Sequence, residues 1–304
     1  MPYVLNALLP ICLIIFIGHT FKHLKFPSTD FWPKMDKFTY YVLMPCLLVY
    51  ELSISKIDLT YTMNLVVTAL GAIFLVLLVL VVLNVFARFD NKAFTSIVQG
   101  GIRFNTYVFL ALVNATYGDK GLVLAAIVMA FSIPFLNILC ISIFAIYTRH
   151  SEKFSLSAFV MTIVKNPLIV ACAIGGFLNV LGNPTPVFVL KSISIISHAA
   201  LPMGLLSVGV GLELKYLKEA KKELVVSSLA KLVLFPLIAY ALGNGMGLAG
   251  LSLSIAVMYA SMPTATSSHI LARELGGDVS LMASITTLET LACLGTLFLI
   301  VPLL

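Results

Sequence analysis

Charge is what this sequence has least of. Asp and Glu number 13, Lys and Arg 19, and charged residues make up 11% of 304. Soluble domains carry about 25%. With 60% hydrophobic residues and a mean hydropathy of +1.07, a water-soluble fold is excluded and the bilayer must be the solvent. Cysteine is also sparse. Cys12, Cys46, Cys140, Cys172 and Cys293 all lie in apolar segments and form no CxxC pair. That argues against a disulfide framework or a metal site and makes them small buried hydrophobes. The chain has no HExxH, no GxGD pair and no Ser–His arrangement at a plausible spacing, so an intramembrane enzyme is not indicated. It has neither a filter loop nor a ring of like charges, as a channel would. No stretch is long or polar enough for a soluble signalling domain, no cofactor is indicated, and the basic residues do not form a nucleic-acid patch.

What is there is a series of apolar runs. A crossing of a ~30 Å hydrocarbon core needs about 20 apolar residues. Ten runs qualify, near 3–21, 35–52, 63–86, 94–117, 122–147, 158–181, 187–210, 224–246, 248–273 and 279–304. The first, YVLNALLPICLIIFIGHTF, has no charge before it and no small-residue cleavage site, so it reads as a retained helix. Odd-numbered connections and their helix ends carry Lys22, Lys25, Lys34, Lys37, Arg88, Lys92, Arg149, Lys153, Lys165, Lys215, Lys218, Lys221, Lys222 and Arg273. The other side carries only Lys56, Lys120 and Lys191. By the positive-inside rule the odd connections are cytoplasmic and both termini face outward.

The chain also resembles itself. At an offset of 157, Pro10 falls on Pro167, Gly18 on Gly175, Pro27 on Pro184, Phe31 on Phe188, Lys34 on Lys191 and Pro45 on Pro202. At an offset of 159, LVVTAL from Leu65 falls on LVVSSL from Leu224, and Gly118-Asp119 on Gly277-Asp278. With only 13 prolines in the chain, these coincidences point to two five-helix repeats, 1–150 and 151–304. An odd helix number inverts the second repeat relative to the first. The fold class expected is an all-α membrane protein, and inverted repeats place a site near the midplane where they meet.

Two runs suit lipid poorly, and they are the fourth helix of each repeat. One reads QGGIRFNTYVFLALVNATYGDKG, the other YASMPTATSSHILARELGGD. Pro263 should break the ninth helix. A half-helix starting there offers free N–H groups and a positive dipole end to a carboxylate. Candidate substrate-binding residues are Arg103, Asn105, Thr106, Tyr107, Pro263, Thr264 and Thr266. The hydroxyls could instead bond back to their own helices. Arg103 is either a fixed charge for an anion or the static partner of Glu289. Glu289 and His269 are candidate coupling groups, and Glu289 could alternatively pair with Lys231.

LLPICLIIFIGHTFKHLKF, FTYYVLMPCLLVYELS, VKNPLIVACAIGGFLNVLG and ALPMGLLSVGVGLEL together resemble the auxin efflux carrier family. Its bacterial members include proteins named as malate or malonate permeases. The resemblance implies a transport part moving against a scaffold part, with interrupted fourth helices crossing at the substrate site. It puts Asn105 at the family's crossover Asn and Pro263 at its crossover Pro. TYVFLALV after Asn105 replaces the family's Gly and Pro residues, which implies a milder first break and a pocket reshaped by Tyr107. The function expected is a plasma-membrane permease for a small organic anion, a carboxylate, working by alternating access. Coupling to H⁺ or Na⁺ and a homodimeric state are left open. The alternatives are a sodium symporter of the bile-acid type, a distant architectural relative, and a membrane ligand sensor.

Overall fold

The structure is a computed structural model and describes residues 2–54, 59–148, 161, 165–215 and 222–303. Among these, Lys56, Arg149, Lys153, Lys218 and Lys221 of the orientation count are not included, nor are 158–160 and 162–164 of the sixth run. All regular structure in the described residues is helical.

Helix α1 (Pro2–Leu24) is followed by α2 (Phe31–Phe38), which runs through a π turn (Thr39–Leu43) into α3 (Met44–Ile54). Then come α4 (Leu59–Ala87), α5 (Asn91–Ile102), α6 (Thr106–Tyr147), α7 (Pro167–Val180), α8 (Val187–Ser197) and α9 (Ala200–Gly211). The chain continues with α10 (Lys222–Leu229), a π turn (Ala230–Leu234) and α11 (Phe235–Gly245). It ends with α12 (Gly250–Ser261), α13 (Ser268–Glu274) and α14 (Val279–Ile300), closed by a 3₁₀ turn.

Local chemistry sets many of these ends. Asp90 caps α5 by accepting from the N–H groups of Lys92 and Ala93. Asn166 caps α7 in the same way, with Pro167 at the first helical position. Inside α6 the regular dihedrals fail at Gly118 (φ 57°, ψ −149°), a conformation that suits glycine.

Six helical segments are long and apolar enough to cross a bilayer: Asn6–Leu24, Thr62–Ala87, Asn91–Tyr147, Val187–Gly211, Lys222–Gly245 and Val279–Ile300. Pro167–Val180 and Gly250–Ser261 are shorter apolar helices. The expected runs 94–117 and 122–147 share one segment of 57 residues, and the expected run 248–273 is divided at 262–267. Phe16, Phe86, Val180, Phe188, Ile195 and Leu299 are exposed on outer surfaces. Such a surface suits lipid and not water.

The helices pack as two groups. In one, α1 lies along α9, and α3 along α7 and α8. In the other, α4 packs on α6, α11 and α12, while α5 packs on α10 and α14. Close contact in the first group depends on glycine. A Cβ on Gly18 would lie 2.1 Å from the Leu206 carbonyl oxygen, and one on Gly175 would lie 3.1 Å from that of Val49. The same offset of 157 relates Gly18 to Gly175 and Val49 to Leu206. One backbone contact is thus made twice, with the roles of the two sequence halves exchanged.

Candidate functional site

The two groups meet where two helices are interrupted. Helix α5 stops at Ile102, Arg103 is extended (φ −74°, ψ 159°), and α6 restarts at Thr106. No proline or glycine occupies 103–105. The break is made by Asn105, whose side-chain oxygen accepts from the N–H groups of Tyr107 (3.1 Å) and Val108 (3.2 Å) and so caps α6. This first interruption is three residues long, 103–105, and the Asn cap starts α6 without a Gly or Pro. The second interruption runs from Met262 to Ser267, with Pro263 inside it.

The interruptions cross. The Asn105 N–H donates to the Pro263 carbonyl at 2.7 Å. On the other side of that peptide unit, the Thr264 N–H donates to Glu289 Oε2 at 3.0 Å. Thr264 Oγ1 donates to the Gln99 carbonyl at 3.2 Å, and Ser227 Oγ donates to Glu289 Oε1 at 3.2 Å. Gly100 makes room for this arrangement, since a Cβ there would lie 2.0 Å from Ser227 Oγ and 3.3 Å from Glu289 Oε1. The free N–H groups expected at the breaks are thus already satisfied at Asn105, Tyr107, Val108 and Thr264.

A cavity of about 740 Å³ opens beside the crossing. Of the candidate residues, Arg103, Asn105, Thr106, Tyr107, Thr266 and His269 line it. Pro263, Thr264 and Glu289 do not. They are buried behind the crossing, with Glu289 and Thr264 at 0% exposure. The Arg103–Glu289 pair entertained from sequence is not formed. Arg103 reaches Ser267 Oγ at 3.4 Å, while both Glu289 oxygens are engaged elsewhere. Nor does Glu289 form an ion pair with Lys231 within 4 Å; the ion pairs among the described residues are Lys22–Glu213 (2.9 Å) and Lys215–Glu213 (3.5 Å).

Sequence reasoning missed several lining residues, among them Asp36, Tyr40, Asn137, Ser207 and Thr286. Asp36, a lone carboxylate at the start of an apolar run, was the one legible signal. The acids of the cavity wall are already partnered. Ser207 donates to Asp36, and Glu213 is held by Lys22 and Lys215. Burial alone would raise the Glu213 carboxyl, but the two ammonium groups outweigh it and hold it below the ordinary carboxylate range. Arg103 has no carboxylate within ion-pair distance among the described residues, so its guanidinium is not held in a salt bridge. Tyr107 packs against α9 at Gly204, where a Cβ would lie 2.4 Å from the ring.

A multi-pass helical protein with a polar, partly charged cavity between two helix groups is the architecture of a membrane transporter. The chain belongs to the membrane transport protein family, that of the auxin efflux carriers, whose family model matches residues 3–301. It is 25% identical over 317 residues to a "Putative malonate transporter" of Rhizobium meliloti, covering 99% of this chain and 97% of that protein. It is 30% identical over 131 residues to an uncharacterized transporter of Methanothermobacter thermautotrophicus, covering 43% of each.

Proposed function

We propose that the protein is a plasma-membrane permease for a small organic anion, a carboxylate such as malonate, which it moves by alternating access at the crossing. The observation that carries this reading is Arg103, a guanidinium without a carboxylate partner in a cavity whose own acids are engaged. A fixed charge at membrane depth is costly unless something pairs with it, and an anionic substrate would do so on each cycle. The name of the Rhizobium relative supports a short dicarboxylate as the first compound to try.

Ten spans in two inverted repeats, 1–150 and 151–304, are the topology that goes with this reading. The doubled glycine contact at Gly18 and Gly175 supports it. Thr29, Lys37 and Arg273 are exposed residues of the cavity lining, at the ends of connections that the positive-inside rule assigns to the cytoplasm. The state described is then inward-facing, with both termini outside. His269, on the cavity wall, is better placed in this state than Glu289 to exchange a coupling proton.

The test is uptake of labelled malonate into proteoliposomes. Saturable flux, reduced at least ~10-fold in Arg103→Gln, is the expected result, since losing a charge-assisted contact is worth about 1.5–3 kcal/mol. Saturable malonate flux unaltered in that variant would remove Arg103 from the site. Proton-driven uptake that persists in His269→Gln would remove His269 from coupling.

A further inference from the structure

Lys231 is a fully buried charged side chain that the transport reading leaves unused. It sits in the π turn between α10 and α11 at 0% exposure. Its Nζ lies 4.3 Å from the Phe235 ring centroid and has no hydrogen-bond partner among the described residues. Glu289, equally buried, lies on α14, which packs against that turn, and the adjacent Gly100 and Gly101 face Glu289 Oε1 and Ala230. An ammonium and a carboxylate buried in neighbouring elements stabilise one another, because either alone in a low-dielectric interior costs several kcal/mol.

What Glu289 holds gives the pair its consequence. Its Oε2 accepts the N–H of the Pro263–Thr264 peptide unit, and the carbonyl of that same unit accepts the Asn105 N–H. A carboxylate pulling on an amide N–H polarises the carbonyl and strengthens the second bond. The charge thereby reaches Asn105, the cap of α6 and part of the cavity wall, through a single peptide plane. The arrangement is one-sided: at the 159 offset, Ala130 stands opposite Glu289 and Ala72 opposite Lys231.

We propose that Lys231 and Glu289 form one charge-compensated positioning unit that sets the geometry of the crossing. This rests on reading the crossing as the transport site. Glu289→Gln isolates the charge, because the amide can still accept from Thr264 and donate to Ser227. Lys231→Met removes the other charge at similar length. Each single variant is expected to raise the malonate KM about 5-fold or more, and the neutral double variant to return within about 2-fold of wild type. A merely structural role would lower the amount of folded protein and leave KM unchanged.

Amide hydrogen exchange of the segment 262–268 provides a readout that needs no substrate. Faster exchange in both single variants and recovery in the double variant is the expected pattern. Unchanged exchange in both singles, or a double variant worse than either, overturns the proposal. Absence of malonate flux in wild type would count against the substrate reading alone, and the exchange pattern would still decide this one. If Lys231→Met does not fold, recovery of folding on adding Glu289→Gln supports the unit, and failure of both overturns it.

Discussion

At the scale of single residues, Asn105 does two separable jobs. Its backbone N–H ties the two interruptions together, and its side-chain oxygen caps α6. Asn105→Ala should lose the cap, about 1 kcal/mol of stability, and most of the uptake. Asn105→Asp keeps a capping oxygen but places a negative charge on the cavity wall near Arg103. It is expected to melt near wild type and to carry little anion, which thermal unfolding and uptake measured side by side would check. Equal loss of stability in both variants would mean that the cap is not what the side chain supplies. Arg103 and Asn105 were legible because polar residues in an apolar run are conspicuous. The partnering of Asp36 by Ser207 was not, because it joins residues 171 positions apart.

At the scale of elements, the scaffold-like contact of α1 with α9 depends on two backbones approaching without side chains between them. Gly18→Ala puts a methyl against the Leu206 carbonyl and should cost about 1–3 kcal/mol. Gly176→Ala, where a Cβ meets nothing within 4 Å, is the control and should be neutral or slightly stabilising in the same melts. The Lys22–Glu213 pair ties the end of α1 to the segment after α9, where Lys22 also donates to the Leu212 carbonyl and the Glu213 N–H donates to Thr287 Oγ1. Because Glu213 is held below its ordinary range in the folded protein, its contribution is present above the unfolded carboxylate pKa. It is lost as pH falls through the depressed value. Glu213→Gln should therefore flatten the acid limb of a melting-temperature profile, and an unaltered limb would show that the pair contributes nothing there. The π turn at Ala230–Leu234 had no sequence signal, since it is a choice between hydrogen-bond registers that tertiary packing makes.

At the scale of the whole molecule, a cavity lies between two helix groups, and the proposed orientation makes it reachable from one side of the membrane. Thr29→Cys, at an exposed position of the cavity lining, is expected to react with an impermeant maleimide in inside-out vesicles and to resist it in right-side-out ones. The reverse pattern would invert the topology argued from the basic residues. Among outward-facing side chains, apolar residues such as Phe86 and Leu299 are common, and their number was already implied by the scarcity of charge.

The sequence by itself determined the solvent, the helical class and the two polar segments in which the helices are interrupted. Each of these is written in local composition or spacing, which survives without knowledge of contacts. Apolar length could not delimit every crossing, because the helices that matter most are interrupted and short of a full span. Only the tertiary structure decided that Thr264 and Glu289 lie behind the crossing while Arg103 and Thr266 face the cavity. Residues two positions apart at an interruption point in directions that no helical or strand period specifies. Only packing could bring Ser227 and Gly100 to one carboxylate, since they stand far apart in the chain and each is individually unremarkable among apolar neighbours.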